Sequence, residues 1–411
     1  MQLEHRVASA STLYRSGAVQ ALREAALDHG SVVSSKNGSL SPHGQYRYPA
    51  RFAPRFAAAA LELVTQPNDL VLDPFLGSGA TLIEAMRHGR RAVGIDISPI
   101  STFIAGTLCA RYKQVDLDAF VAWFSNQVST MSDRRLHLPL HVDFPTTNLE
   151  MRRHWRLASF IDKILRLATS LPIAQERLVR LVLLRSAQWT FDNRQSCPTY
   201  QELKKFSLKT AIDLALSIRN FREHIFEVWG GNLLARHHTV LHGPSEAMLR
   251  KLRVSDSSKF DAIVTSPPYP GVHMLYGRWQ VHGRRETDLP LWIVGAKSVL
   301  REGDYTMHAR RDPDNATYFR LLSETMAACR EKMKEGAWSV HMVGFSSPRP
   351  QLTQYLRVME ANGFHEVRSK RLATWRDGRL WRTVPNRRWY AASQSASNST
   401  KSEVVLLFRA G

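Results

Sequence analysis

Cysteine is scarce in this 411-residue chain: Cys109, Cys197 and Cys329 are the only three, far apart and without a C-x-x-C pair. That spacing excludes a disulfide framework and a thiolate zinc site, and it suits a reducing cytoplasm. His237-His238 has no cysteine or carboxylate at ligand spacing, so no metal is expected. Long apolar runs are missing as well. The first 44 residues are polar and charged, and no stretch approaches the ~20 apolar residues of a membrane span. Acidic residues are in short supply: 36 Asp and Glu stand against 56 Lys and Arg, a formal net charge of +20. So large an excess calls for a polyanionic partner, most simply nucleic acid.

Bulk composition is otherwise ordinary, 44% hydrophobic and 22% charged, enough for a large core in one elaborated domain or two. Two short motifs stand out. Asp73-Pro-Phe-Leu-Gly-Ser-Gly79 follows the aliphatic run Leu70-Val71-Leu72, and Thr265-Ser-Pro-Pro-Tyr269 follows Ala262-Ile263-Val264. Each reads as the loop at the C-terminal end of a buried parallel strand, where open α/β sheets place their ligands.

Around these motifs the pattern predicts helices over 18–27, 57–64, 81–88 and 100–110, with strands at 70–73 and 92–96. Residues 70–96 thus make one βαβ unit. Helical spacing recurs at 160–167, 178–184 and 211–221, which predicts a helical insertion. Strands at 239–242 and 260–264 follow, then a loop-rich basic stretch over 270–314. A helix over 318–334 with Gly336 as its C-cap leads to a strand at 338–343. A helix over 351–361 follows, then a hairpin turn at Arg376-Asp-Gly-Arg379 and a strand at 404–408. The domain reading is 1–44 as N-terminal extension and linker, 45–116 as a cofactor-binding half and 117–235 as the insertion. Residues 236–411 form a catalytic half with a basic C-terminal hairpin.

In the first loop, Gly77 and Gly79 sit where the backbone turns tightly and approaches a ligand. Asp96 ends the next strand, the position from which a carboxylate accepts both hydroxyls of a ribose. The dinucleotide form G-x-G-x-x-G is absent, since Ala80, Thr81 and Leu82 follow Gly79, and this disfavours a nicotinamide cofactor. The second loop offers a hydroxyl (Ser266), a backbone carbonyl (Pro267) stiffened by Pro268, and a flat ring (Tyr269). The lone pair of a nucleobase amine is conjugated into the ring. Two acceptors on its hydrogens localise that lone pair for attack on a methyl donor. A ring such as Tyr269 stacks an extruded base.

With Tyr48-Pro-Ala-Arg-Phe52, Asp73–Thr81, Gly94-Ile-Asp-Ile97 and Asp261–Tyr269, the chain resembles the amino-methylating DNA methyltransferases, the N4-cytosine and N6-adenine family. The match spans most of 46–110 and 239–409. The resemblance implies a Rossmann-like class I methyltransferase sheet, here with a helical insertion, and S-adenosylmethionine as cofactor. It further implies a cofactor site of Tyr48, Pro49, Ala50, Phe52, Asp73, Phe75, Gly77, Ser78, Gly79, Thr81, Asp96 and Ile97. Ser266, Pro267, Pro268 and Tyr269 would be catalytic, and no metal is needed. The implied partners are double-stranded DNA, hence nucleoid association in the cytoplasm, and a companion restriction endonuclease. Serine at position 266 favours cytosine N4 over adenine N6. An RNA guanine-N2 or protein glutamine methyltransferase, or a non-catalytic DNA-binding relative, is the more distant alternative. C5 methylation is disfavoured, because the only Cys beside a Pro is Cys197-Pro198, in the reverse of the required order.

Two departures stand out. Gly243-Pro-Ser-Glu246 lacks the acid that often follows this glycine to hold the adenine, leaving Ser245 or a backbone group as substitute. The cofactor loop also precedes the S-P-P-Y loop, whereas many serine-type relatives have the reverse order. For DNA recognition two basic clusters are candidates. One is Arg152–Arg156 with Lys204-Lys205. The other runs through Arg368, Lys370, Arg371, Trp375, Arg376, Arg379, Trp381, Arg382, Arg387, Arg388 and Trp389.

Overall fold

The computed structural model describes residues 16–28, 41–48, 53–131, 139–192, 196–231, 237–253, 255–270, 277–281, 285–296, 315–383 and 402–411. Helices α1 (Ser16–Leu27) and α2 (Pro54–Val64) precede strand β1 (Leu70–Asp73), α3 (Ala80–Arg87), β2 (Arg91–Asp96) and α4 (Pro99–Leu108). Pro54 and Pro99 each open a helix where a missing N–H costs nothing. Gly89, at φ +73°, stops the chain after α3.

Four helices follow: α5 (Gln114–Thr130), α6 (Met151–Ala168), α7 (Ile173–Phe191) and α8 (Tyr200–Val228). They correspond to the predicted insertion. In α8 the start is fixed by a reciprocal cap, Glu202 N–H to Thr199 Oγ1 and Thr199 N–H to Glu202 Oε2. The chain then runs through β3 (His238–His242), α9 (Ser245–Lys251), β4 (Phe260–Thr265), β5 (Trp279–Val281), β6 (Arg285–Thr287) and α10 (Leu289–Ile293). It closes with α11 (Ala316–Lys332), β7 (Met333–Gly344), α12 (Pro348–Ala361), β8 (Phe364–Val367), β9 (Leu380–Thr383) and β10 (Ser402–Ala410).

Eight strands form one sheet in the order β3-β2-β1-β4-β7-β10-β8, with β9 also on β10. Strands β3, β2, β1, β4 and β7 are parallel, and β10 runs antiparallel between β7 and the β8/β9 edge. This is a doubly wound Rossmann-like order with one reversed strand, as the motifs led us to expect. The strands alternate between two cores. Val71, Val264, Val405 and Leu407 face a cluster that includes α1 to α4 and the insertion helices, whereas Leu72, Ile263, Val404 and Leu406 face α9, α11 and α12. The insertion therefore shares its hydrophobic core with one face of the sheet.

Three local expectations need correction. Gly336 is not a C-cap: α11 ends at Lys332, and Gly336 at φ +67° lies inside β7, where Phe260 pairs with Met333 but Ala262 pairs with Trp338. A positive-φ glycine reads alike at a helix end and at a bulge. Asp377-Gly378 makes a tight turn, with Thr374 N–H donating to Arg379 O, yet β9 pairs with β10 rather than folding back on β8. Turn chemistry sets the bend, not the partner strand. The basic stretch after the second motif also holds a small antiparallel pair, β5 with β6.

Candidate active site

Strands β1 and β4 are direct neighbours, Val71 opposite Ala262 and Leu72 opposite Ile263, so their C-terminal loops emerge side by side. Strand β1 also has β2 on its other side, which makes this the topological switch point of the sheet. The two loops are bonded to one another. Thr265 Oγ1 donates to Asp73 Oδ1 at 2.7 Å, and Thr81 Oγ1 donates to Val264 O at 3.1 Å. Asp73 is almost fully buried and also accepts Phe75 N–H at 3.1 Å. Burial pushes its carboxyl up to about 6 despite those hydrogen bonds.

The glycine loop bends at Gly77 (φ +52°) and Gly79 (φ +85°). A Cβ on Gly79 would stand 2.8 Å from Ala105 Cβ of α4, so helix packing as well as backbone angle demands glycine there. At Gly77 the corresponding atom would only touch the Tyr48 ring at 3.5 Å, and the angle alone decides. Tyr48 is buried over this loop, its hydroxyl 2.5 Å from Ser101 Oγ. Of the segment it opens, Pro49, Ala50 and Phe52 lie outside the described residues. Phe75 and Ser78 are partly buried in the loop, whereas Thr81 is fully buried and bonded inward.

Asp96, at the end of β2, accepts Gly77 N–H on Oδ2 at 2.7 Å and Ser98 N–H on Oδ1 at 2.8 Å. The Ser101 hydroxyl also bonds to this carboxylate, and a carboxylate has about four lone-pair sites, so acceptor capacity remains beyond these three donors. Burial raises this carboxyl to about 6, and the neighbouring charge of Asp73 adds to the rise. Ile97 beside it is 48% exposed, an apolar side chain open at the rim. Gly243 N–H donates to Asp96 O, which brings the start of the β3–α9 turn against the same point. Ser245 is buried and donates to Pro74 O at 2.5 Å, so its hydroxyl hydrogen braces the glycine loop.

In the second loop Ser266 Oγ donates to Met342 O at 3.0 Å. Its one hydrogen is thereby engaged, and the oxygen presents lone pairs. Pro268 O accepts the Tyr318 hydroxyl at 2.7 Å, while among the described residues nothing donates to Pro267 O. Tyr269 OH donates to Glu403 Oε1 at 2.8 Å, and Arg382 holds the other Glu403 oxygen from Nε at 2.7 Å and Nη2 at 2.6 Å. Glu403 is nearly buried and comes from β10, 134 residues beyond Tyr269. Sequence reasoning missed it. The available signal was a lone carboxylate directly ahead of the apolar run Val404–Phe408.

The basic clusters fare unevenly. Arg379 pairs with Glu366 and Asp377, Arg382 with Glu403, Arg368 with Glu366, and Lys204 Nζ donates to Met131 O. Lys370, Arg371, Arg376 and the 69% exposed Trp375 stay on the surface, as do Arg152, Arg153, Arg156 and Lys205. Trp155 is partly buried and His154 is buried edge-on against Phe191. Arg387, Arg388 and Trp389 lie outside the described residues.

Residues 28–102, which hold the glycine loop and Asp96, match the family model N6_N4_Mtase, described as DNA methylase. Over this stretch the chain is similar to the N6/N4 DNA methylases. The type II methyltransferase M.MjaII of Methanocaldococcus jannaschii is 35% identical over 81 residues, 20% of this chain and 15% of its own. M.BsoBI of Geobacillus stearothermophilus, also a type II methyltransferase, is 26% identical over 263 residues, 58% of this chain and 51% of its own. The chain thus spans about half or less of these relatives. Among solved structures, the rRNA methyltransferase AviRa of Streptomyces viridochromogenes covers 94% of this chain and 96% of its own at a TM-score of 0.34 and 12% identity. S-adenosylmethionine is the methyl donor that this similarity to the DNA methylases implies. The donor set fits it at one point: the Asp96 carboxylate, whose Oδ2 accepts Gly77 N–H of the glycine bend, keeps acceptor capacity for a ribose hydroxyl.

Proposed function

We propose that this protein methylates the exocyclic N4 amine of cytosine in double-stranded DNA, on a base turned out of the helix. S-adenosylmethionine, when bound, supplies an electrophilic methyl on a positively charged sulfur. Asp96 takes the ribose hydroxyls on its remaining lone pairs, and the Gly77–Gly79 bend with Phe75 and Ser78 admits the methionine end. Tyr48 covers this loop from above. Ser266 Oγ and Pro267 O accept the two amino hydrogens, which draws the nitrogen lone pair out of conjugation and aims it at the methyl. Tyr269 stacks the extruded ring, its plane set by Glu403. Once methylated, the amine gives up one proton to solvent, and no residue of the protein bonds covalently to the base.

One observation carries this reading: Ser266 spends its only hydrogen on Met342 O and so presents its lone pairs as an acceptor, beside the Pro267 carbonyl, to which nothing donates among the described residues. Serine in this position favours cytosine. The type II names of the relatives support a companion restriction endonuclease with the same target. Base-resolved mapping of DNA from cells expressing the protein tests the proposal. N4-methylcytosine at one sequence is expected. N6-methyladenine in its place would overturn the base assignment, and unmodified DNA would overturn the activity.

A further inference from the structure

The side-chain amide of Gln188, on α7, grips the backbone of residue 47. Its Nε2 donates to Arg47 O at 2.8 Å, and its Oε1 accepts Arg47 N–H at 3.2 Å. The same Oε1 also accepts Arg185 Nη1 at 3.2 Å. One amide therefore ties two arginines together, one from the segment leading into Tyr48 and one from the insertion. Arg47 is exposed and Arg185 partly buried. Burial, and then the charge of Arg47, both disfavour the ionised form of Arg185. Among the described residues no carboxylate pairs with either guanidinium. The acid that feels Arg47 is Asp192, and it accepts the Gln280 N–H at 3.3 Å.

Aromatic rings frame the pair. Arg185 Cζ stands 5.7 Å from the Phe206 centroid, and Phe206 lies flat on Trp189, 4.4 Å between centroids at 7°. The charge of Arg47 disfavours that of Arg185, and an anion with paired oxygens would relieve this repulsion and suit a guanidinium fork. The pair is close in the chain to the glycine loop, because Tyr48, the residue after Arg47, lies over Gly77.

We propose that Arg47 and Arg185 form a phosphate-binding position for the DNA backbone, at the seam between the helical insertion and the segment that covers the cofactor loop. The proposal rests on the DNA methylation reading above and names a surface that neither basic cluster of the sequence contains. Duplex DNA is the occupant because exposed Arg47 directly precedes the residue over the glycine loop of the proposed methylation site, and the protein carries a net charge of +20.

The test measures binding of the full chain to a short fluorescent DNA duplex over a range of salt, for wild type, Arg47→Gln, Arg185→Gln and the double variant. Each lost phosphate contact should reduce the slope of log K against log salt by about 0.9, and the double variant by roughly twice that. The loss should be uniform across sequences, with S-adenosylmethionine affinity unchanged in Arg47→Gln. If Arg185→Gln melts early, exposed Arg47→Gln and Arg47→Glu decide alone. A wild-type slope retained in the variants, in a protein that still methylates DNA, overturns the phosphate position only. A duplex RNA competitor that binds more tightly than DNA, or a wild type that neither binds nor methylates DNA, overturns the reading beneath it.

Discussion

Thr265 Oγ1 donates to Asp73 Oδ1 at 2.7 Å, so the residue before the serine–proline loop holds the residue that begins the glycine loop. The two loops, the cofactor and base sides of the proposed site, are therefore tied to each other by a bond at the ends of adjacent strands. Replacing Thr265 with Val keeps the shape and deprives a buried carboxylate of a donor. Stability should fall by about 1–3 kcal/mol in urea unfolding. A loss too small to measure would show that Asp73 needs no such partner.

Ser266→Ala should lower turnover by about a hundredfold or more, the usual scale for one aligned polar group at a reacting centre. Cofactor affinity measured by calorimetry should stay at the wild-type value, since Ser266 bonds to Met342 and faces the base side. Unchanged turnover would remove this hydroxyl from the chemistry.

Glu403 and Tyr269 should separate support from stacking. Glu403→Ala leaves Arg382 unpaired in a nearly closed site and should cost about 3–5 kcal/mol of stability. Tyr269→Phe forfeits one hydrogen bond, roughly 1 kcal/mol, and keeps the ring. Its turnover should exceed that of Tyr269→Ala, which also gives up base stacking worth about 1–3 kcal/mol. Equal activities in the two Tyr269 variants would rule out a stacking role.

Asp96 gives a pH signature. Its carboxyl is raised to about 6 by burial, then by Asp73, so it ionises only above that value. Diol binding needs the ionised acceptor, and cofactor affinity should fall as pH drops through about 6. For the unliganded fold the sign is opposite. A raised carboxyl contributes stability below its unfolded value near 3.8, and that contribution is lost as pH rises through about 6. Titration calorimetry on wild type and Asp96→Asn checks both: the variant should bind weakly with a flat profile.

The two loop glycines should differ. Gly77→Ala meets only the positive angle, a cost of about 1–2 kcal/mol. Gly79→Ala meets the angle and a 2.8 Å contact with Ala105, adding roughly 1–3 kcal/mol of overpacking. Thermal melting of the two variants should rank them in that order.

The strands, the loop positions and most helices were legible because their signals are local: β-branched or aliphatic runs for β1 and β4, glycine at the bend, a helical period through α6 to α8. What was hidden depends on partners distant in sequence. Gln188 reaches back 141 residues to Arg47, and Glu403 reaches 134 to Tyr269, and no spacing rule links them. The basic hairpin was misjudged for a related reason. Arginines at 379 and 382 read as open cations until Glu366 and Glu403 are brought beside them by β8 and β10. Gly336 and the Asp377-Gly378 turn were visible as bends, but a bend does not declare which edge the chain joins next.

Strand β10 is made after every other strand of the sheet, yet it occupies an interior place between β7 and the β8/β9 edge. Nascent protein stopped ahead of Ser402 would thus carry two open rows of peptide groups where neighbours should be, an invitation to intermolecular pairing. It would also leave Tyr269 without its carboxylate anchor. Adding β10 thus covers the β7 edge and supplies the carboxylate to which Tyr269 donates, in one step.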